Sequence, residues 1–184
     1  MLKRVTDSNS VLVFDPRGSV EASNTPTAMR PAALDGLRLA ILDNSKWNAN
    51  KILRGSAEAL QKAVRFGAIN YYVKASFSKD AAPELLEEIA ANNDIALTAI
   101  GDCGSCCSCC VRDAIALEKK GIPSVAIITT EFVHETELTR RAIGMQDLCP
   151  VVIDHPVSSI TQSEVESRAA QVALQAPKIW LGLT

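Results

Sequence analysis

Aromatic residues are scarce in this 184-residue chain, at 4% for Phe, Trp and Tyr together. So thin a supply argues against a base-stacking surface for nucleic acid. Neither charge sign is in excess. The formal net charge of −2 leaves no electrostatic footprint for nucleic acid or an anionic membrane. No window approaches the ~18 consecutive apolar residues that a membrane span needs. Met1 to Asp7 lacks the apolar stretch of a secretory signal, and no internal repeat is visible. These absences predict a cytoplasmic protein with one well-covered core. Thiols rest mostly reduced in that compartment, so clustered cysteines there read as redox, catalytic or metal-binding before they read as structural staples.

Cysteine is what the chain has in excess, at one place. Of six cysteines, Cys103, Cys106, Cys107, Cys109 and Cys110 fall within Gly101-Asp-Cys-Gly-Ser-Cys-Cys-Ser-Cys-Cys110. Cys149, ahead of a proline and a buried strand, reads as a core thiol. The apolar run Ile95 to Ile100 leads into the cluster, and a helical pattern from Val111 to Lys120 leads out of it.

The rest of the chain alternates regularly. Residues 1 to about 35 read as an extension: a short strand Val11 to Phe14, a turn at Asp15-Pro16-Arg17-Gly18, then an arm through Pro31. That arm suits either a disordered tail or docking on a neighbouring subunit. Residues 36–184 read as one α/β domain. Strands are expected at Leu37–Asp43, Ile69–Ala75, Ile95–Ile100, Ser124–Thr129 and Val151–Asp154. Helices are expected at Ala49–Phe66, Pro83–Asn92, after the cysteines, at Val133–Ile143 and from Ser163 to about Gln175. Ile179 to Leu183 reads as an apolar tail suited to docking or a subunit contact. Near-continuous apolar strands alternating with helices imply a parallel, doubly wound five-stranded sheet with helices on both faces. The expected order is 2-1-3-4-5, the flavodoxin-like arrangement.

In such a sheet, ligands bind beyond the carboxyl ends of the strands where the order reverses. The loops meeting there are Asn44-Ser45-Lys46 and Gly101 to Cys106, with Thr130-Glu131-Phe132 and His155-Pro156 along the same edge. A cysteine in a strand-to-helix turn lies where unpaired N–H groups and the helix dipole favour thiolate. In Cys103-Gly-Ser-Cys106 one thiolate can attack and the other can resolve the adduct as a disulfide. His155 is the candidate general acid and Glu131 the candidate base. Asn44, Ser45, Lys46, Asp102, Ser105 and Thr130 are the candidate substrate contacts, with Lys46 suited to a carboxylate or a thiolate. Lys46 and Glu131 also read as solvated loop charges, His155 suits a packed turn, and His134 suits the surface. Cys107, Cys109 and Cys110 also fit the core face of the outgoing helix.

The strand ending in Gly-Asp-Cys-Gly-Ser-Cys, followed by Val-Arg-Asp-Ala-Ile-Ala-Leu-Glu-Lys-Lys-Gly-Ile-Pro-Ser-Val, resembles the UGSC-motif proteins. That family is named for Sec-Gly-Ser-Cys, with cysteine often replacing selenocysteine. It looks similar to the B-type selenoprotein subunits of glycine and proline reductases. The likeness runs from about Leu34 to Ala170 and takes in Leu42-Asp43-Asn44-Ser45-Lys46, Thr130-Glu131-Phe132 and His155-Pro156. It implies that Cys103 occupies the selenocysteine position and Cys106 the resolving position of a reductase or lyase acting on a small metabolite. A thiol reductant or redox partner protein and a homo- or hetero-oligomer would follow. The chain departs from the family after Cys106, where Cys107, Cys109 and Cys110 appear. These raise a second reading, a transition-metal site of Cu, Zn or Fe on Cys103, Cys106, Cys107, Cys109 and Cys110. Consecutive cysteines cannot converge from a regular helix, so that site requires residues 103 to 107 to stay non-helical. A third reading is a redox-switch subunit of a larger complex.

Overall fold

The computed structural model describes residues 22–184; the strand and turn expected at Val11 to Gly18 lie outside them. Five strands alternate with five helices: β1 (Arg38–Asp43), α1 (Ala49–Gln61), β2 (Ala68–Val73), α2 (Pro83–Asn92), β3 (Ile95–Gly101), α3 (Gly104–Lys119), β4 (Ser124–Thr129), α4 (Val133–Ile143), β5 (Val151–Ile153) and α5 (Gln162–Trp180). All neighbouring strands pair in parallel, in the order β2-β1-β3-β4-β5. This is the doubly wound, flavodoxin-like arrangement that the strand spacing implies.

Side-chain alternation divides the core into two layers. Leu39, Ile41, Ile95, Leu97, Val125 and Ile127 face the apolar sides of α1 and α5. Their neighbours Ala40, Leu42, Ala96, Ala126 and Ile128 face α2, α3 and α4. β3 lies at the centre and is buried along its whole length, so the loop after it opens between β1 and β4.

Several boundaries differ from the sequence expectation. α1 stops at Gln61, and Val64 and Phe66 pack on the core from the following turn. α3 begins at Gly104 instead of after the cysteines. The first turn is fixed by reciprocal capping, in which Cys103 Sγ accepts from the Cys106 N–H and Cys106 Sγ from the Cys103 N–H. α5 starts one residue before Ser163, capped by Thr161 and Glu164 in a capping box. It also passes through Pro177 to Trp180. Pro177 removes one helical N–H, yet the last turn persists because Trp180 is fully buried and its Nε1–H donates to Ala96 O at 3.0 Å. Ile179 and Trp180 therefore belong to the core rather than to an apolar tail.

Residues 22–34 dock on their own domain. The Thr25 N–H donates to Gly144 O at 2.6 Å. Ala28 N–H and Arg30 Nη1 donate to the two oxygens of the buried Glu118 carboxylate, each at 2.6 Å. Gly144 ends α4 at φ 78°, and a Cβ there would come within 2.3 Å of Ser23 O. Glycine is thus required both by the left-handed cap and by the passing arm.

Candidate functional site

β3 carries one extra residue against β4 around Ile100, where the pairing slips between Ala99 and Gly101. A bulge of this kind turns a strand end out of its register. The next residue, Gly101, lets α3 approach: a Cβ there would fall 2.8 Å from Cys107 Cα. The bulge and the glycine together set α3 with its N-terminus at the carboxyl edge of the sheet, in the crevice between β1 and β3.

Cys103 is the N-cap of α3 and Cys106 its third residue. Their sulfurs are paired as a disulfide, with the Cα atoms 5.4 Å apart, inside the range that a disulfide spans. The two are not equivalent. Cys103 is partly exposed, whereas Cys106 is fully buried. Cys106 Sγ receives the N–H groups of Cys103 at 2.9 Å and Asp102 at 3.3 Å. Cys103 Sγ receives the Cys106 N–H at 3.4 Å, and the Ser105 hydroxyl lies 3.8 Å from it.

Asp102 sits between the sulfurs and β1. Its carboxylate is buried, 3.5 Å from Cys106 Sγ, and paired with Lys46 Nζ at 3.0 Å. Lys46 also lies 5.0 Å from the centre of the Phe77 ring. The β1–α1 loop that presents Lys46 is tightly specified. Asn44 Nδ2 donates to Ile100 O at 3.0 Å and Ser45 Oγ to Lys74 O at 2.9 Å. Ser45 and Asn48 both hold left-handed backbone, at φ 62° and 63°, a costly conformation for side-chain-bearing residues. Thus Asn44, Ser45, Lys46, Asp102, Ser105, Cys103 and Cys106 come together at one strand edge.

The remaining candidates stand apart from the sulfurs. His155 is exposed, and its Nδ1 lies 3.0 Å from Thr129 Oγ1, which in turn reaches Gly101 O at 3.4 Å. Thr130 and Glu131 are exposed in a single 3₁₀ turn after β4. Among the described residues none of the three hydrogen-bonds either sulfur.

The other clustered thiols diverge around α3. Cys107 Sγ meets Thr136 Oγ1 of α4 at 3.2 Å, and Cys110 Sγ meets Thr98 Oγ1 of β3 at 3.3 Å. Burial pushes the Cys107 thiol up to about 11 and the Cys110 thiol up to about 12. The Cys109 thiol is also raised, first by burial and then by Asp80. All three stay protonated near neutrality. The five thiols share no centre, because residues 104 to 107 are helical. Cys103 and Cys106 share one instead with Asp102: their ligand-type atoms all lie within 4.8 Å of one another.

Sequence reasoning missed part of this edge. Asp43 is buried, accepting from Tyr71 OH at 2.6 Å and Ser45 N–H at 2.7 Å. Burial first, and then that bond to Asp43, raises the Tyr71 hydroxyl well above its ordinary value. Trp47, Lys51 and Arg54 line a cavity beside it. The signal in the sequence was slight: Lys51 and Arg54 stand three apart on α1, and Trp47 precedes the helix and its Asn48 cap.

The fold and this edge define a doubly wound α/β protein with a CxxC pair at its switch point. The UGSC family profile matches residues 12–182, and the chain belongs to the UGSC family. That membership and the cysteine cluster are compatible with a cysteine-based function. No curated protein sequence matches the chain. Among solved structures, the flavodoxin-like domain of a Synechococcus sp. protein is similar at 11% identity. That match covers 79% of this chain and 96% of that one with a TM-score of 0.35. No helix among the described residues is long and apolar enough to cross a membrane.

Proposed function

We propose that the protein is a thiol-dependent enzyme acting on a small metabolite, with Cys103 as nucleophile and Cys106 as resolving thiol. The observation that carries this reading is the asymmetry of the pair: one sulfur reachable at a helix N-terminus, the other enclosed behind it. The Cys103 thiolate attacks a carbon bearing a leaving group; the S–C bond forms and the leaving group departs with its electron pair, taking up a proton. The Cys106 thiolate then attacks Cys103 Sγ. The S–S bond forms, the S–C bond breaks, and its electrons stay on the carbon, which takes a proton. The substrate has exchanged its leaving group for hydrogen, and the dithiol has become a disulfide. An external thiol reductant or redox partner protein returns the two electrons. The resemblance to the reductase subunits supports this direction of chemistry. His155 is suited to deliver the proton to the departing group and Glu131 to take one.

Alkylation of the reduced protein across pH tests the reading. Cys103 should react first, with a profile inflecting below the ordinary thiol value of about 8.5. Cys103→Ser should abolish exchange with a small disulfide, and Cys106→Ser should trap the mixed disulfide. An inflection near 8.5 together with unchanged exchange in both variants rejects it.

A second reading rests on the grouping of Asp102, Cys103 and Cys106, a carboxylate and two thiolates that could hold a thiophilic transition metal with coordination positions to spare. Elemental analysis of protein purified without chelators separates the two. Stoichiometric metal that protects both cysteines from alkylation would favour the metal site.

A further inference from the structure

A cavity of about 580 Å³ opens along the β1–α1 loop, lined by Lys46 but by neither sulfur. We propose that it binds the acid group of a small organic anion, with the rest of that molecule passing Lys46 towards Cys103. The proposal rests on the assignment of Cys103 and Cys106 as the reacting pair and adds the class of substrate they act on.

Charge carries the argument. Lys51 and Arg54 line the cavity against one carboxylate, Asp43, while the charge of Lys46 is met by Asp102. Asp43 is already committed to Tyr71 OH and the Ser45 N–H. Among the described residues, Lys51 and Arg54 pair with no carboxylate. Lys51 moreover stands in the first turn of α1, which holds no acidic residue. A cation there opposes the helix dipole, an arrangement that an anion at the same place would relieve. The cap residue does not supply one, because Asn48 makes no side-chain cap bond and its Nδ2 donates to Val157 O at 2.9 Å.

The cavity is also preorganised for recognition. The Arg54 guanidinium lies over the Tyr71 ring, 4.6 Å from its centroid. That stacking holds its donor fork in place for a carboxylate or phosphate. Trp47, 72% exposed, offers an apolar face at the rim for a carbon skeleton. Lys46 joins the cavity to the chemistry, since its Nζ contacts Asp102 beside the sulfurs. Carboxylate and phosphate satisfy this geometry alike, and the choice between them is an arm of the test.

The test uses the reduced full chain with benzoate, phenyl phosphate and the neutral isostere benzamide, read by calorimetry and tryptophan fluorescence. Trp47 is the reporter, because Trp180 is sealed in the core. One or both anions should bind, at least tenfold more tightly than benzamide, and the tighter of the two identifies the acid group. Lys51→Gln with Arg54→Gln should weaken anion binding at least tenfold, whereas Lys178→Gln, a cation removed on α5, should leave it unchanged. Benzamide binding as tightly as the anions, no binding by either anion, or undiminished binding in the double variant overturns the proposal. The benzamide comparison needs no variant and stands even if the double substitution impairs folding. The thiol assignment fails on different evidence, the alkylation profile, which requires no ligand.

Discussion

Replacing Lys46 by Met tests how the charge beside the sulfurs is balanced. Lys46 Nζ lies 3.0 Å and Cys106 Sγ 3.5 Å from Asp102 Oδ1, so cation and sulfur are at most about 6.5 Å apart. At an effective dielectric near 20, unit charges at that separation interact by about 2.5 kcal/mol. The side chain of Lys46 retains 18% of its exposure, and Cys103 Sγ stands one sulfur further away, so roughly 1–2 kcal/mol is the usable range. Lys46→Met removes that support and leaves Asp102 facing the thiolate alone. Both changes disfavour the anion and displace the alkylation profile of Cys103 to higher pH. Part of the effect on rate is offset, because a more basic thiolate is a better nucleophile by roughly half the shift on a logarithmic scale. At pH 7 the net slowing should be about two- to fivefold, while the plateau at high pH should rise. Adding Asp102→Asn should restore most of the original profile. The assay is stopped-flow alkylation of the reduced protein with mass-spectrometric assignment of the labelled cysteine. A Lys46→Met profile superimposed on the wild-type curve would refute the electrostatic account of this pair.

Three further outcomes follow from neighbouring features. The buried Lys74–Asp113 ion pair, with Ala81 N–H also on Asp113 at 2.7 Å, ties the loop after β2 to α3; Lys74→Met should cost about 3–5 kcal/mol in urea denaturation. Adding Asp113→Asn should recover part of it, since the amide oxygen still accepts from Ala81, and an unchanged single variant would contradict the ion pair's role. In native reduced protein at pH 7.5, label should reach Cys103 before the half-buried Cys149 and leave Cys107 and Cys110 untouched until unfolding; simultaneous labelling of either would show their burial to be wrong. On the acid side, the hydrogen bond from Arg38, set against weak desolvation, holds Asp94 below its ordinary value. Its contribution to stability is present above the unfolded value of about 3.9 and disappears as pH falls through the lowered folded value. Asp94→Asn should therefore flatten the dependence of the urea midpoint on pH in that window, and an unaltered slope would count against the pairing.

The sheet was legible because its evidence is local and redundant. Apolar runs such as Ile95 to Ile100 and Ser124 to Thr129 suit only a strand covered on both faces, and parallel connection with right-handed crossovers then leaves few orders. Helix ends were less legible because packing decides them. No local rule carries a helix through Pro177; the burial of Trp180 does. The start of α3 was hidden for the same reason, since Gly, Ser and Cys are indifferent helix formers and the turn is held by sulfur capping and by contact with β3 at Gly101. At the site, residues next to strand ends were found from topology alone. Asp43 was not, because nothing in its sequence neighbourhood reveals a hydroxyl arriving from β2. Lys51 and Arg54 were not legible as site residues either, because only the fold brings them together with Trp47 around one cavity.

The cysteine cluster combines two roles that look identical in the sequence. Once α3 begins at Gly104, Cys107, Cys110, Val111, Ala114 and Ile115 follow the i, i+3, i+4, i+7 spacing of a buried helix face, and these residues form the core layer against Ala126 and Ile128. The thiols of that face act as small apolar groups with weak donors to Thr136 and Thr98, while Cys103 and Cys106 belong to the N-cap and first turn, at the helix end. Replacing Cys107, Cys109 and Cys110 together by Ala should therefore lower stability by about 2–4 kcal/mol, the cost of three small core vacancies. It should leave the pH profile of Cys103 alkylation and its disulfide exchange intact. If the three thiols instead took part in the chemistry, or in a metal centre with the pair, the same variant would lose exchange or metal at little cost in stability. Measuring urea midpoint and Cys103 reactivity on one protein decides between these, because the two accounts predict opposite losses.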